Sequence, residues 1–196
     1  MTRVVAATGN EGKLKEIRAA LAPASIEVLG IDALSDPTPI EETGATFEAN
    51  AKLKAEGYSL RTNELVLADD SGLEVDALEG APGIYSARYG GPTLSDPARC
   101  RAILKALTDT PDAERGAQFV CVLAIAKAGK TLATYRAEVR GTILREMRGD
   151  NGFGYDPIFF YPPLNKAFGE ITRDEKEKVS HRGQALRKAL EGWPKS

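Results

Sequence analysis

Residues 3–21 read Arg3-Val4-Val5-Ala6-Ala7-Thr8-Gly9-Asn10-Glu11-Gly12-Lys13-Leu14-Lys15-Glu16-Ile17-Arg18-Ala19-Ala20-Leu21. Arg3 to Ala7 is an apolar run of strand length. Leu14, Ile17 and Leu21 then recur at spacings of three and four, the stripe of an amphipathic helix. Between them Thr8, Gly9 and Asn10 turn the chain, with Asn10 as the expected N-cap. The same alternation continues outward. Pro23 closes the helix, and Val28, Leu29 and Ile31 give a second strand. Phe47, Ala51, Ala55 and Tyr58 share one face of a helix from about Thr46 to Leu60, and Leu65 to Ala68 gives a third strand. Strands alternating with helices predict an α/β fold.

The middle of the chain changes character. A helix is expected over Ser95 to Leu107. A Val-, Ile- and Leu-rich strand over Ala117 to Ala128 and an alternating one over Thr131 to Leu144 follow, joined around Gly129 and Lys130 as a β-hairpin that projects from the main sheet. Gly149 to Tyr161 is a glycine and aromatic loop, and Val179 to Leu190 reads as the closing helix. With no repeat, linker or low-complexity tract, residues 1–196 read as one α/β domain with two lobes.

Composition narrows the function. A chain of 196 residues can bury about 70% of its unfolded surface, enough for a proper core. Its 26 basic and 28 acidic side chains give a net charge of -2, which excludes the basic footprint of a nucleic-acid-polymer binder. Cys100 and Cys121 cannot form a disulfide framework, and His181 is the only histidine, so the cysteines read as ordinary thiols of a reducing cytoplasm. The apolar run from Val4 to Ala7 is too short for a signal or membrane segment, and a cytoplasmic protein is expected.

Four constellations carry chemistry. Thr8 to Lys13 places backbone N–H groups, the positive end of a helix dipole and a lysine at one point, a phosphate site that is not a Walker A loop; an ordinary capped helix would look the same. Asp69 and Asp70, with Ser71 and Gly72, follow an apolar strand. Paired carboxylates at a strand end suit Mg²⁺, and the competing reading is an Asp-rich turn. Gly152-Phe153-Gly154-Tyr155-Asp156 presents an aromatic ring between glycines, either a stacking platform for a base or a packed loop. Ser180-His181-Arg182 begins the last helix. No GxSxG elbow accompanies it, so a serine triad is not indicated and a surface histidine is the bland alternative. The charges also segregate: Glu41 to Glu79 holds ten acidic and three basic residues, whereas Lys166 to Lys188 holds seven basic and four acidic ones.

Taken in order, Thr8 to Lys13, Glu41 and Glu42 ahead of a helix bearing Asn50 and Lys54, Asp69 to Gly72, Gly80 to Tyr89, Phe153 to Asp156 and Ser180 to Arg182 resemble the inosine triphosphate pyrophosphatase family over nearly the whole chain. The resemblance implies an elongated, two-lobed α/β fold with a long central mixed β-sheet flanked by helices, an architecture shared with Maf-like proteins, and an active site in its cleft. It implies Mg²⁺-dependent hydrolysis of ITP, dITP and XTP to the monophosphate and pyrophosphate by a cytoplasmic homodimer. It assigns phosphate contacts to Thr8, Gly9, Asn10, Glu11, Gly12 and Lys13, with Lys54 and Lys176. Asp70 becomes metal ligand and general base beside Ser71, with Glu42 favoured over Glu41 as the second metal ligand. Phe153, Gly154, Tyr155 and Asp156 receive the purine, and His181 and Arg182 donate to its 6-oxo group. Two other readings stand against this one: a Maf-like pyrophosphatase of modified pyrimidine triphosphates, and a non-catalytic nucleotide sensor.

Overall fold

The structure, a computed structural model, describes residues 2–194. Its strands are β1 (Thr2–Ala6), β2 (Ile26–Leu29), β3 (Leu65–Val75), β4 (Gly116–Lys127), β5 (Lys130–Ile143), β6 (Phe159–Tyr161) and β7 (Lys166–Ala167). They form one mixed sheet in the order β2-β1-β3-β4-β5-β6-β7. β1 pairs in parallel with β2 and β3, whereas β5, β6 and β7 pair antiparallel. The helices are α1 (Glu11–Leu21), α2 (Phe47–Ser59), α3 (Asp96–Ala106), α4 (Arg173–Val179) and α5 (His181–Glu191). This is the α/β class, with the helix-flanked mixed sheet, that the sequence predicts.

The chain forms two compact units. The first comprises residues up to Asp70, Cys121–Ala137 and the chain from Arg182 on; the second comprises Ser71–Val120 and Glu138–His181. β3, β4 and β5 each contribute residues to both. In the first unit, Asn10 has extended backbone and its Oδ1 accepts from Lys13 N at 3.0 Å, which fixes where α1 begins. α1 then buries Leu14, Ile17 and Leu21 in a core with Val4, Leu67, Leu123 and Leu186. α2 starts at its own N-cap, Thr46, and ends one residue short of the expected Leu60. In the second unit, Leu73, Ile103, Phe119, Ile158, Phe159 and Phe168 form a separate core. Phe119, Phe159 and Phe168 pack ring to ring there, with centroids 4.6–6.0 Å apart.

Three expectations are corrected. The third strand does not stop at Ala68 but continues to Val75, so Asp69 and Asp70 lie inside β3 and not in a turn after it. The β4–β5 hairpin does not project: both strands are interior to the sheet order. Its tip is held by α2, where Ser59 Oγ accepts from Gly129 N at 2.9 Å and Glu56 Oε1 accepts from Thr131 Oγ1 at 2.7 Å. The closing helix starts at His181, and a separate short helix, α4, precedes it, begun by a capping box between Thr172 and Glu175. Among the described residues no helix is long and apolar enough to cross a membrane.

Leu67 is fully buried, and its carbonyl accepts from Ala7 N at 2.8 Å. Truncating it leaves a cavity that β1 and α1 cannot fill. Leu67→Ala is expected to lower stability by ~2–5 kcal/mol in urea unfolding, where an exposed position such as Leu60→Ala changes it little.

Candidate active site

Successive side chains of a strand point to opposite faces of its sheet. Asp69 and Asp70 are consecutive in β3, so they are not a paired carboxylate, and their partners differ accordingly. Asp69 Oδ2 takes Lys13 Nζ from α1 at 3.0 Å and Arg182 Nη2 from α5 at 3.1 Å, and Arg182 Nη1 also donates to Glu16. Burial alone would raise the Asp69 pKa, but Lys13, Arg182 and Lys54 outweigh it and hold the carboxyl far below the ordinary range. Asp69 is a locked anion.

Asp70 meets a different environment. Lys54 Nζ, from α2, is 3.5 Å from Asp70 Oδ1 and 2.6 Å from Glu42 Oε1. Asp70 Oδ2 is buried and has no hydrogen-bond partner among the described residues. Burial pushes the Asp70 pKa up, reinforced by Glu42 and Asp69, and Lys54 and Lys13 do not cancel that. Asn50, buried on α2, accepts from Gly44 N at 2.8 Å and so anchors the loop that carries Glu42. Glu42 is half-buried and Glu41 exposed. Nearby, Thr8 Oγ1 accepts from Asn10 N at 3.1 Å. The amides of Glu11 and Gly12 open the first turn of α1, where helices have no internal acceptor to offer.

In the second unit the aromatic loop is organised around Asp156. Its Oδ2 accepts from Phe153 N at 2.8 Å and takes Lys176 Nζ at 2.6 Å. The same ammonium lies 4.5 Å from the centroid of the Phe153 ring. A Cβ at Gly152, whose φ is +77°, would overlap the Asp156 carboxylate, so only glycine lets this loop close on itself. His181 is buried and stacks on Phe119, centroids 4.7 Å apart at 9°. Ser180 has extended backbone and separates α4 from α5.

A model of the Ham1 family matches residues 4–192. The chain belongs to the Ham1 family. It is 49% identical over 195 residues to a protein of Staphylococcus epidermidis named dITP/XTP pyrophosphatase, covering 98% of each chain. Among solved structures it is similar to the Ham1 protein of Staphylococcus aureus (TM-score 0.85, 42% identity, 98% of this chain and 100% of that one). It is also similar to a HAM1 protein from Coxiella burnetii (TM-score 0.87, 40% identity, 98% of each).

Within this Ham1 chain the structure brings Lys13 onto Asp69, and Lys54 between Glu42 and Asp70. Two of the expected site residues have partners within the chain. Lys176 is bound to Asp156 and lies over the Phe153 ring. Arg182, 1% exposed, has its guanidinium engaged by Asp69 and Glu16. Ser71 follows Asp70 and, by strand alternation, lies on the Asp69 side. Glu16 and Phe119 escaped the sequence reading. Glu16 stands three residues after Lys13, and its role depends on an arginine 166 positions away. Cys100 and Cys121 are buried and form no disulfide, and burial pushes their thiols up to about 12.

The oxygen donors of Glu42 and Asp70, one of them an unpartnered buried oxygen, fit a hard divalent cation. Among the described residues there is no cluster of three or more metal-ligating side chains.

Asp69 supplies a prediction about pH. Its folded pKa lies below the ordinary 3.8, so the stability it contributes is fully present above that value and is lost as pH falls through the window beneath it. Asp69→Asn removes one of the two carboxylates that engage the buried Arg182 guanidinium and is expected to cost ~3–5 kcal/mol in urea unfolding at pH 7 with chelator present. The gap between variant and wild type should stay constant above pH 5 and narrow below about pH 4. A gap that widens on acidification would contradict the assignment.

Proposed function

We propose that this protein hydrolyses non-canonical purine nucleoside triphosphates, ITP, dITP and XTP, to the nucleoside monophosphate and pyrophosphate. The observation that carries the reading is Asp70: a buried carboxylate with an unpartnered oxygen and a raised pKa, set against Lys54 and Glu42. Near-full-length similarity to a dITP/XTP pyrophosphatase supports the choice of substrate.

The reaction adds water to the α-phosphorus and breaks the bond to the β-phosphate oxygen, releasing pyrophosphate. Asp70 takes a proton from the attacking water, a task for which a pKa raised toward the working pH is suited. Glu42 and Asp70 would hold Mg²⁺, which when bound supplies charge neutralisation to phosphate oxygens and makes water more acidic. Lys54 keeps those two carboxylates together. The turn from Thr8 to Asn10 and the first-turn amides of Glu11 and Gly12 bind phosphate oxygens, with Lys13 adding charge that Asp69 holds in place. Phe153 stacks on the purine, and Gly154, Tyr155 and Asp156 shape the loop that presents it, with Lys176 fixing Asp156. His181 donates to the 6-oxo group. Adenine carries a donor there, so ATP would leave a buried group unpaired at a cost of ~1–3 kcal/mol, or roughly 5-fold to 150-fold in rate. Arg182 serves by holding Asp69 and Glu16. The same proposal has the protein acting as a homodimer in the cytoplasm, a reducing compartment in which the two free buried thiols are at home.

Incubation with ITP, dITP, XTP and the four common nucleoside triphosphates, with and without EDTA, is expected to give monophosphate and pyrophosphate from the first three only when divalent metal is present. Nucleoside diphosphate and orthophosphate as products would overturn the α-phosphorus assignment. Asp70→Asn should lower kcat by about 10²- to 10⁴-fold while nucleotide binding is largely kept. Tight ITP binding by wild type with no turnover would mark a sensor instead.

A further inference from the structure

Gly154 lies between Phe153 and Tyr155 with φ +62°, and α3 holds it at both of its backbone polar groups. Its N–H donates to Asp96 Oδ2 at 2.7 Å, and its carbonyl accepts from Cys100 Sγ at 3.3 Å. Asp96 and Cys100 are four residues apart on α3 and therefore share a face. The other Asp96 oxygen accepts from Arg99 Nη1 at 2.9 Å, so the carboxylate is oriented from two sides. Beyond Gly154, the Tyr155 hydroxyl donates to Ser86 O at 2.8 Å. Phe153 therefore hangs between two fixed amides, its own on Asp156 and the next one on Asp96. A glycine at positive φ has no side chain to hold that conformation, and its hydrogen bonds supply the restraint.

We propose that Asp96 is a positioning residue for purine recognition, fixing Gly154 and through it the plane of the Phe153 ring against which the base stacks. The assignment rests on the reading of the Phe153 loop as the purine platform. Asp96 touches no substrate in this scheme. It is half-exposed, at the start of α3, and its Oδ2 is directed to the loop. Losing a charge-assisted hydrogen bond that restrains a binding loop should act on base affinity and leave the phosphate chemistry alone.

The test uses the full-length protein, with IMP and pyrophosphate as separate equilibrium probes by calorimetry and dITP as substrate. Asp96→Ala is expected to weaken IMP binding and raise KM for dITP by about 10-fold, with kcat and pyrophosphate affinity unchanged. Asp96→Asn keeps an acceptor for the Gly154 amide and should restore most of the loss. Should Asp96→Ala fail to fold by circular dichroism, Asp96→Asn together with Cys100→Ala carries the test, the latter weakening IMP by about 3-fold. Unchanged IMP affinity in Asp96→Ala, or equal losses for IMP and pyrophosphate, would overturn the proposal. A wild-type protein that releases no pyrophosphate from dITP overturns the activity reading instead, and the IMP arm still decides the role of Asp96.

Discussion

A β-strand cannot present two consecutive side chains to the same face of its sheet, and in this protein that constraint gives two chemically identical neighbours different surroundings. Asp69 is turned toward α1 and α5, where Lys13 and Arg182 neutralise it. Asp70 is turned toward α2, where Lys54 is shared with Glu42 and one carboxylate oxygen has no partner among the described residues. Burial penalises both anions. Which of them gives way is decided by the number of cations within reach: the Asp69 pKa falls and the Asp70 pKa rises. A carboxyl held ionised and one with a raised pKa thus stand side by side, by alternation together with the charges that each face supplies.

The aromatic loop follows a comparable logic on a smaller scale. One oxygen of Asp156 serves both the amide of Phe153 and the ammonium of Lys176, and that ammonium also lies over the Phe153 ring. Lys176 and Asp156 are both buried, so their ion pair is largely withdrawn from water. The loop's shape is consequently tied to a charge balance, and Gly152 is required because the carboxylate occupies the space a side chain would need.

Much of this was legible before the structure. α1 and α2 were recoverable because their stripes are regular and their N-caps, Asn10 and Thr46, are strong signals. The turn between β4 and β5 was equally plain. The extent of β3 was not. Asp69, Asp70, Ser71 and Gly72 are turn formers by local preference, and it is the place of β3 between β1 and β4 in the sheet that makes a strand of them. The hairpin's interior position was hidden because strand patterning says nothing about which neighbours a strand will meet. α4 is seven residues long and almost entirely charged, too short and too polar for an apolar stripe. The motif residues were found by type, but the carboxylates that Lys176 and Arg182 meet were not, because a cation's nearest carboxylate is a property of the folded chain. Membership of the Ham1 family, which matches residues 4–192, is consistent with the ordered motifs from which the reading began.

The claim that Asp69 and Asp70 are held in opposite electrostatic states is open to direct measurement. Protein carrying ¹³C-labelled aspartate, titrated by NMR without divalent metal, reports each carboxyl separately, with Asp69→Asn and Asp70→Asn assigning the signals. The account predicts that the signal lost in Asp70→Asn titrates above the ordinary 3.8, while the one lost in Asp69→Asn stays ionised well below it. Two carboxyls titrating together near the ordinary value, or in the reverse order, would contradict it.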